Sequence, residues 1–213
     1  MKSKFAEQFN HDAQALAYDK EVKNENNPIR EGYQSVLSWI KKESPVEGVV
    51  IELGSGTGNT TAVFSDNLSK IFCVDISSKM IEVAKEKIGS NKKISFTESD
   101  LLSFLSAYQK DDVSAVVSMY AIHHLTREEK HKLFQLSHSI LKNKGKVIFA
   151  DLMFKDKEYE QEMRSKYPSL KEDFDEEFWW HIDEEKKALE DVGFNVKVQK
   201  FSDLSWGLIG EKV

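Results

Sequence analysis

The sequence predicts an α/β fold in which one mostly parallel sheet lies between two layers of helices. Between Gly48 and Asp151, short apolar runs rich in β-branched residues alternate with segments whose apolar residues recur at helical spacing. The connections are short, which favours parallel strands joined by right-handed crossovers. A chain of 213 residues with 40% hydrophobic and 31% charged residues can bury the core of one such domain. We therefore expect a single domain over residues 1–213 that forms a three-layer α/β/α sandwich.

Periodicity and turn signals define the individual elements. Seven strands are expected, at Val49–Leu53, Ile71–Ile76, Ile94–Glu98, Val113–Met119, Lys146–Asp151, Asn195–Phe201 and Trp206–Lys212. Helices are expected at Thr60–Leu68, Ser78–Ile88, Leu101–Gln109, Arg127–Leu141 and Asp183–Val192. Thr126 and Glu129 fit a capping box at the start of the fourth of these helices.

The alternation is absent at the beginning of the chain and after Asp151. Residues 1–45 are expected to form two helices, the first over Phe5–Val22 and the second starting at Pro28, because Pro at the first helical position is a start signal. Residues 152–182 form a charged, aromatic-rich insertion that contains Trp179 and Trp180.

A glycine turn follows the first predicted strand. Val49–Thr61 reads VVIELGSGTGNTT, an apolar run with glycines at positions 54, 56 and 58. Glycine tolerates positive φ, and without a Cβ its backbone can lie directly against a ligand. Because the end of the strand and the first N–H groups of the next helix face the same crevice, we expect a nucleoside-bearing cofactor there.

Two residues help to distinguish a dinucleotide cofactor from one that carries a positive charge. In the dinucleotide pattern G-x-G-x-x-G, the third glycine falls where this chain has Asn59. Glu52 places a carboxylate at the strand end, which repels a pyrophosphate but accommodates a cationic sulfonium or ammonium. A nicotinamide-linked oxidoreductase is therefore disfavoured but stays open as an alternative.

The run E-L-G-x-G-x-G-x-x-T, from Glu52 to Thr61, resembles motif I of the class I S-adenosylmethionine (SAM) dependent methyltransferases. The resemblance extends from Tyr18 to the C-terminus and is to the small, single-domain bacterial branch that acts on small molecules. It implies SAM as cofactor and a Rossmann-like seven-stranded sheet in the order 3-2-1-4-5-7-6 with the last strand antiparallel. Residues 1–45 are expected to lie over the cofactor. The aromatic surface of the insertion at 152–182 is expected either to cover a small organic acceptor or only to fasten the insertion to the domain.

The candidate cofactor residues follow the predicted strands. Asp75 ends the second strand, where an acidic side chain accepts from ribose hydroxyls, although it also suits a helix N-cap. Asp100 resembles motif III, which implies contact with the adenine amine, and it too is a possible N-cap. Ile76 and Met80 are expected against the adenine or in the core. The full expected set is Tyr18, Arg30, Glu52, Gly54, Ser55, Gly56, Thr57, Asp75, Ile76, Met80, Asp100, Leu101, Ser118 and Tyr120.

Three residues are candidates for catalysis. His123 and His124 follow the fourth predicted strand in a segment that resembles motif IV, and one of them suits a general base because its pKa lies near neutral pH. Asp151 ends the fifth predicted strand and is expected to orient a substrate hydroxyl or amine. A packing role for either histidine is the alternative. No metal is expected, since the chain lacks H-x-x-x-H spacing and a companion cysteine.

Composition restricts the partners. The net charge is −6, the expected pI is about 5.6 and no basic run is present, which disfavours nucleic acid as the main partner. No stretch has the length and hydrophobicity of a membrane span, and one cysteine permits no disulfide framework. We expect a cytoplasmic enzyme for a small methyl acceptor. Its oligomeric state stays open, and a non-catalytic SAM-binding regulator is the main alternative.

Overall fold

The computed structural model describes Ser3, Gln8 and residues 10–213. The strands of this part of the chain are β1 (Gly48–Leu53), β2 (Leu68–Asp75), β3 (Ile94–Glu98), β4 (Val113–Met119), β5 (Leu141–Phe154), β6 (Trp180–His181), β7 (Phe194–Lys200) and β8 (Ser205–Lys212). Its helices are α1 (Tyr18–Glu21), α2 (Tyr33–Glu43), α3 (Ser78–Ile88), α4 (Leu101–Ala107), α5 (Arg127–Ile140), α6 (Lys157–Lys166), α7 (Lys171–Glu176) and α8 (Ile182–Val192).

The strands form one sheet in the order β3-β2-β1-β4-β5-β8-β7, and the two-residue β6 pairs with β5 off this path. β1, β2, β3, β4 and β5 pair in parallel, whereas β8 runs antiparallel to both β5 and β7. With β6 set aside, this is the expected order 3-2-1-4-5-7-6 with its antiparallel last strand. The three-layer, Rossmann-like α/β/α fold is confirmed.

Two apolar clusters cover the two faces of the sheet. Neighbouring residues of a strand point to opposite faces, so Val50 contributes to one cluster and Ile51 to the other. α2 packs on the first face through Val36 and Ile40, and α4, α5 and α8 pack on the second. Every residue of β4 is buried, which is expected for the middle of a parallel sheet covered on both sides.

The prediction of a helix over Thr60–Leu68 is wrong. One 3-10 turn covers Thr61–Val63, and β2 already begins at Leu68. The Thr61 hydroxyl donates to the Glu52 carboxylate at 2.6 Å, and Ser65 closes a turn by accepting from the Asn67 and Leu68 amides. Local side-chain hydrogen bonds of this kind compete with a continued helix.

The N-terminal prediction needs two corrections. Residues 5–7 and 9 of the helix expected over Phe5–Val22 lie outside the described residues, and the rest contains a 3-10 turn at Asp12–Gln14 followed by α1. The second helix begins at Tyr33 instead of Pro28, because Gly32 takes a left-handed conformation with a φ of 82°. Residues 10–32, which we call the N-terminal arm, therefore consist of turns and the short helix α1.

The insertion after Asp151 is anchored to the sheet. β5 continues to Phe154 instead of ending at Asp151, and β6 pairs with its last two residues. The Trp180 side chain is fully buried between Phe134 and Phe149. The Trp179 ring stacks on Phe154 with centroids 5.1 Å apart. These aromatic side chains fasten the insertion to the domain.

Candidate active site

A cavity of about 290 Å³ opens at the carboxyl ends of β1, β2 and β4. Its walls are the glycine turn after β1, the residues after β2 and β4, the start of α4, the N-terminal arm, Leu152, and Glu177 of the insertion. We call the side with Gly54, Gly56 and Asp75 the glycine end. The side with His11, His123, His124 and Glu177 is the histidine end.

The glycine turn presents bare backbone to the cavity. Gly54 and Gly56 both have positive φ, and the amides of Gly54 and Ser55 donate to the Val74 carbonyl at 2.8 and 3.0 Å. A Cβ on Gly54 would lie 2.2 Å from the Ala121 Cβ. A Cβ on Gly56 would meet no described atom within 4 Å and would occupy the cavity itself. The turn thus fits a ligand that approaches the Gly56 backbone closely.

Asp75 lies on the cavity wall beside this turn. One carboxylate oxygen accepts from the Gly56 amide at 2.7 Å and the other from the Ser77 amide at 2.9 Å. The N-cap of α3 is Ser77, whose hydroxyl accepts from the Met80 amide, so Asp75 does not cap that helix. Burial raises the pKa of Asp75. Because a carboxylate has about four acceptor positions, Asp75 retains capacity for ligand hydroxyls.

Asp100 fills one of the two roles that the sequence left open, the N-cap of α4, and it also lies on the cavity wall. One of its oxygens accepts from the Leu102 and Ser103 amides, both at 3.1 Å, and thereby caps α4. The residue also lines the cavity together with Leu101. Ile76 and Met80 lie on the same wall, which places an apolar surface next to the Asp100 carboxylate.

Glu52 and Ser118 do not line the cavity. The buried Glu52 carboxylate accepts from Thr61, and its second oxygen has no hydrogen-bond partner among the described residues. Burial raises the pKa of Glu52 to about 7. The Ser118 hydroxyl donates to the Leu53 carbonyl at 2.8 Å and links β4 to β1. Both side chains therefore support the strand ends from behind, which differs from the direct cofactor contact expected of them.

Ser55 and Thr57 line a smaller pocket of about 20 Å³ beside the glycine turn. The Thr57 hydroxyl donates to Asp19 of α1 at 2.5 Å, and the Asn59 side chain donates to the same carboxylate oxygen at 3.0 Å. Lys87 forms an ion pair with Asp19 at 2.5 Å. Asp19 therefore fastens the N-terminal arm to the glycine turn, a contact that no local pattern in the sequence indicated.

The arm brings Tyr18 and Arg30 to the cavity wall as expected. The Arg30 guanidinium carbon lies 5.7 Å from the Tyr18 ring centroid and 5.9 Å from that of Tyr120. Within the described residues, no carboxylate lies within ion-pair distance of Arg30. Tyr120 has a φ of 53°, an uncommon conformation for an aromatic residue that often marks functional sites.

A buried pair of side chains organises the histidine end. Asp151 accepts from the His123 Nδ1–H with one oxygen, and its other oxygen accepts from the Ile122 and His123 amides at 2.9 and 3.0 Å. This arrangement places the ring proton on Nδ1 and leaves a lone pair on Nε2. Burial lowers the pKa of His123, but the Asp151 charge and hydrogen bond outweigh it, so the pKa of His123 is raised. Asp151 lies behind His123, off the cavity wall.

Two further residues of the histidine end come from distant segments. The His11 Nε2 lies 3.3 Å from the His124 Nε2, although 113 positions separate them along the chain. A Glu177 oxygen lies 3.8 Å from the His123 Nε2 and accepts from the Trp179 indole at 2.8 Å. Burial lowers the pKa of both His11 and His124. Sequence analysis missed His11 and Glu177 because no short pattern connects them to the paired histidines.

Backbone contacts fix the position of Glu177. The Phe178 amide donates to the His123 carbonyl at 2.9 Å, and the Lys130 ammonium donates to the Phe178 carbonyl. In contrast, His131 contacts Glu185 and His138 packs on Phe194, so neither belongs to the cavity.

The predicted cofactor residues on the main cavity wall are Tyr18, Arg30, Gly54, Gly56, Asp75, Ile76, Met80, Asp100, Leu101 and Tyr120. Among the helices of the described residues, none has the length and apolar character needed to cross a membrane.

Comparison with known proteins identifies the family. A family model described as a methyltransferase domain matches residues 50–145. An uncharacterised methyltransferase of Oceanobacillus iheyensis is 30% identical over 207 residues, which cover 93% of this chain and 94% of that protein.

Solved structures share the fold. DhpI, in its complex with SAM and HEP, matches with a TM-score of 0.72 and 18% identity over 94% of this chain and 93% of that chain. A structure containing a methyltransferase and the Haloferax volcanii Trm112 activator matches with a TM-score of 0.66 and 18% identity over 99% and 98%. From this sequence relationship along nearly the whole length, together with the shared fold, we conclude that the chain belongs to the class I SAM-dependent methyltransferases.

Proposed function

We propose that this enzyme methylates a small molecule that binds at the histidine end of the cavity. The observation that carries the proposal is the limited volume of the cavity. The N-terminal arm lines one side of it and Glu177 of the insertion lines the other, around a volume of about 290 Å³. A volume close to the ~300 Å³ lower limit of ordinary ligand pockets suits a compact acceptor beside a cofactor. The net charge of −6 also disfavours a nucleic-acid acceptor.

The glycine end supplies the cofactor contacts in this proposal. Asp75 accepts from the ribose hydroxyls, and the bare Gly56 backbone permits close approach of the nucleoside. Asp100 and Leu101 face the adenine, and Arg30 pairs with the carboxylate of the methionine part. Bound SAM supplies an electrophilic methyl group whose leaving group departs neutral. The protein therefore acts mainly by alignment and by exclusion of water.

His123 and His124 face the acceptor in this proposal, and Asp151 acts through His123. Asp151 fixes the His123 ring so that Nε2 carries a lone pair at the histidine end. An acceptor O–H, S–H or N–H must lose its proton in the reaction, and electron-pair donors next to it favour that loss. These residues thus belong to the half of the cavity that faces the nucleophile.

The two segments at the cavity rim act as covers. Residues 1–45 include the arm that Asp12 and Asp19 fasten over the glycine end, since Asp12 accepts from the Ser77 hydroxyl at 2.6 Å. The insertion at 152–182 supplies Glu177 and closes the histidine end. The proposal includes a cytoplasmic location, because the one cysteine, Cys73, is buried and needs no oxidising compartment.

Transfer from SAM carrying a tritiated methyl group tests the proposal. The purified enzyme is incubated with the small-molecule fraction, the protein fraction and the nucleic-acid fraction of a bacterial lysate. We expect label in the small-molecule fraction together with formation of S-adenosylhomocysteine. The Asp75→Asn variant serves as the control, because it alters the ribose contact and should lose the labelling at low SAM concentration.

Two results would contradict the proposal. Label that enters mainly protein or nucleic acid would exclude the small acceptor. SAM binding measured by calorimetry, without formation of S-adenosylhomocysteine from any fraction, would favour the non-catalytic regulator.

A further inference from the structure

We propose that the histidine end is a binding site for one divalent transition-metal ion of the Zn²⁺ type, with His123, His124 and Glu177 as ligands and His11 as the fourth. Ligand atoms of the first three residues all lie within 4.8 Å of one another. The His11 Nε2 adds a further imidazole nitrogen 3.3 Å from the His124 Nε2. The ion-binding part of this inference is independent of the proposed acceptor. Its role in the reaction rests on the proposed function.

The distances agree with one shared ion. Bonds of about 2.0–2.1 Å with tetrahedral angles place two ligand atoms about 3.3 Å apart. The two histidine nitrogens from His11 and His124 already lie at 3.3 Å. The 3.8 Å between the His123 Nε2 and the Glu177 oxygen has to shorten by only about 0.5 Å to reach such geometry. That separation is too long for a hydrogen bond between the two atoms.

The surroundings of the ligands favour the same assignment. Metal-binding histidines usually donate their second N–H to a carboxylate, which fixes the tautomer and strengthens the ligand. Asp151 accepts the His123 Nδ1–H in this way and directs Nε2 to the cavity. Glu177 in turn accepts from the Trp179 indole at 2.8 Å, and ligating carboxylates are generally hydrogen-bonded to a second partner.

The donor set determines the kind of ion. Imidazole nitrogens with one carboxylate suit Zn²⁺, Co²⁺, Ni²⁺ or Fe²⁺, whereas Mg²⁺ and Ca²⁺ prefer oxygen ligands. Spacing along the chain does not show the site, because the 3-10 turn Ile122–His124 brings two neighbouring rings to a centroid distance of 4.0 Å. The remaining ligands come from the arm and the insertion.

A bound ion would narrow the chemical class of the methyl acceptor. An acceptor hydroxyl or thiol would join the four protein ligands as a fifth, since Zn²⁺ sites can expand to five-coordinate. The cation would then lower the pKa of that acceptor group and so favour its anion at neutral pH. The acceptor proton passes to water, the oxygen or sulfur electron pair forms the bond to the methyl carbon, and the electrons of the broken C–S bond stay on the cofactor sulfur. The inference therefore favours an oxygen or sulfur acceptor over an amine.

Cobalt binding to tag-free protein is the direct test. The protein is dialysed against a chelator and titrated with Co²⁺, which absorbs visible light strongly in tetrahedral sites, and with Zn²⁺ in a calorimeter. We expect one equivalent of either ion to bind. Glu177→Gln and His124→Ala should each weaken binding by at least about 100-fold, because loss of a ligand costs more than the ~10–100-fold known for loss of a residue that only supports a ligand. Glu176→Gln, a change of the exposed neighbouring acid, should bind the metal as the wild type does.

The outcomes separate the metal site from the proposed function. Absence of stoichiometric binding, or equal binding by the Glu177→Gln and Glu176→Gln proteins, overturns the metal site. Circular dichroism and thermal melting of each variant distinguish loss of a ligand from loss of the fold. If the metal binds but no small molecule is methylated, the site stands and the proposed function fails. If chelator-stripped enzyme methylates a small molecule at the full rate, the metal's role in activating the acceptor is excluded.

Discussion

The glycine end of the cavity is built largely from backbone, whereas the histidine end is built from side chains. At the glycine end, one turn and the first residues after neighbouring strands supply the wall. At the histidine end, four side chains arrive from the arm, the loop after β4 and the insertion. A backbone surface can receive the same cofactor in many chains, while a side-chain surface changes with each substitution. Under the proposed function, this difference places the shared cofactor at the glycine end and the choice of acceptor at the histidine end.

The largest expected effect lies at the histidine end. His123→Ala removes the side chain that Asp151 orients, and we expect kcat to fall by about 10²–10⁴-fold, the usual contribution of a positioned acid, base or ion site. SAM affinity measured by calorimetry should change less than threefold, because His123 acts on the acceptor side. His138→Ala, outside the cavity, is the control. A large loss of SAM affinity in His123→Ala would show that the two ends are not separate.

The Glu52→Gln variant tests how the buried Glu52 carboxyl, which lies behind the glycine end, affects the pH dependence of folding stability. The pKa of Glu52 is raised from 4.5 to about 7 by burial, so the folded protein retains a proton there that the unfolded chain has lost. Wild-type stability should therefore decrease as pH rises from about 4.5 to 7, by up to about 3 kcal/mol, and stay reduced above that range.

The Gln variant should lack this component of the pH dependence and unfold at higher denaturant concentration than the wild type at pH 8. Because Glu52 does not line the cavity, SAM affinity should stay nearly constant. Denaturant melts from pH 5 to 8 provide the measurement. Equal midpoints at pH 8 would contradict a buried carboxyl whose pKa is raised and which is ionised at a cost to stability above pH 7.

Gly56→Ala places a methyl group on the backbone wall of the glycine end. The added methyl group would enter the cavity without touching a described protein atom, so it should reduce SAM affinity by about 30-fold, equivalent to about 2 kcal/mol of overpacking. Gly89→Ala is a matched control, since Gly89 also has positive φ and lies outside the cavity. It should lower the melting temperature and leave SAM affinity intact. Equal SAM affinities of the two variants would exclude close approach at Gly56.

The smallest expected effect concerns the arm. Asp19→Asn weakens the contacts with Thr57 and Lys87 that hold the arm on the glycine turn. We expect SAM to dissociate about 3–10-fold faster, which corresponds to about 1 kcal/mol, the net contribution of a typical hydrogen bond. Stopped-flow displacement of SAM measures the rate, with the exposed Asp111→Asn as control. An unchanged rate would mean that the arm does not limit escape of the cofactor.

The repeating strand–helix units between Gly48 and Asp151 were predictable from the spacing of apolar residues along the sequence. Alternating apolar runs placed five parallel strands. The resemblance at Glu52–Thr61 implied the strand order, which the pairing of β5, β8 and β7 confirms. The errors occur where a single side chain overrides propensity. The Thr61 hydroxyl bonds to Glu52 in place of continuing a helix, and the left-handed Gly32 delays α2.

The residues of the candidate site also fall into those that local sequence indicated and those that only tertiary contacts bring to the cavity. Asp75 and Gly56 follow predicted strand ends, so the sequence was enough to propose them. Glu177 and His11 reach the cavity only through tertiary contacts, such as the Phe178 amide on the His123 carbonyl, and these have no signature in a short stretch of sequence.

That Phe178 amide has a consequence for how such enzymes diversify. It ties the insertion to the paired histidines through main-chain atoms, and Lys130 secures the neighbouring carbonyl from the opposite side. Main-chain contacts survive the exchange of most side chains, so the insertion can change its composition and still deliver whichever residue occupies position 177 to the same point. Swapping this loop among relatives, with its anchor retained, is a route to new acceptors on an unaltered cofactor platform.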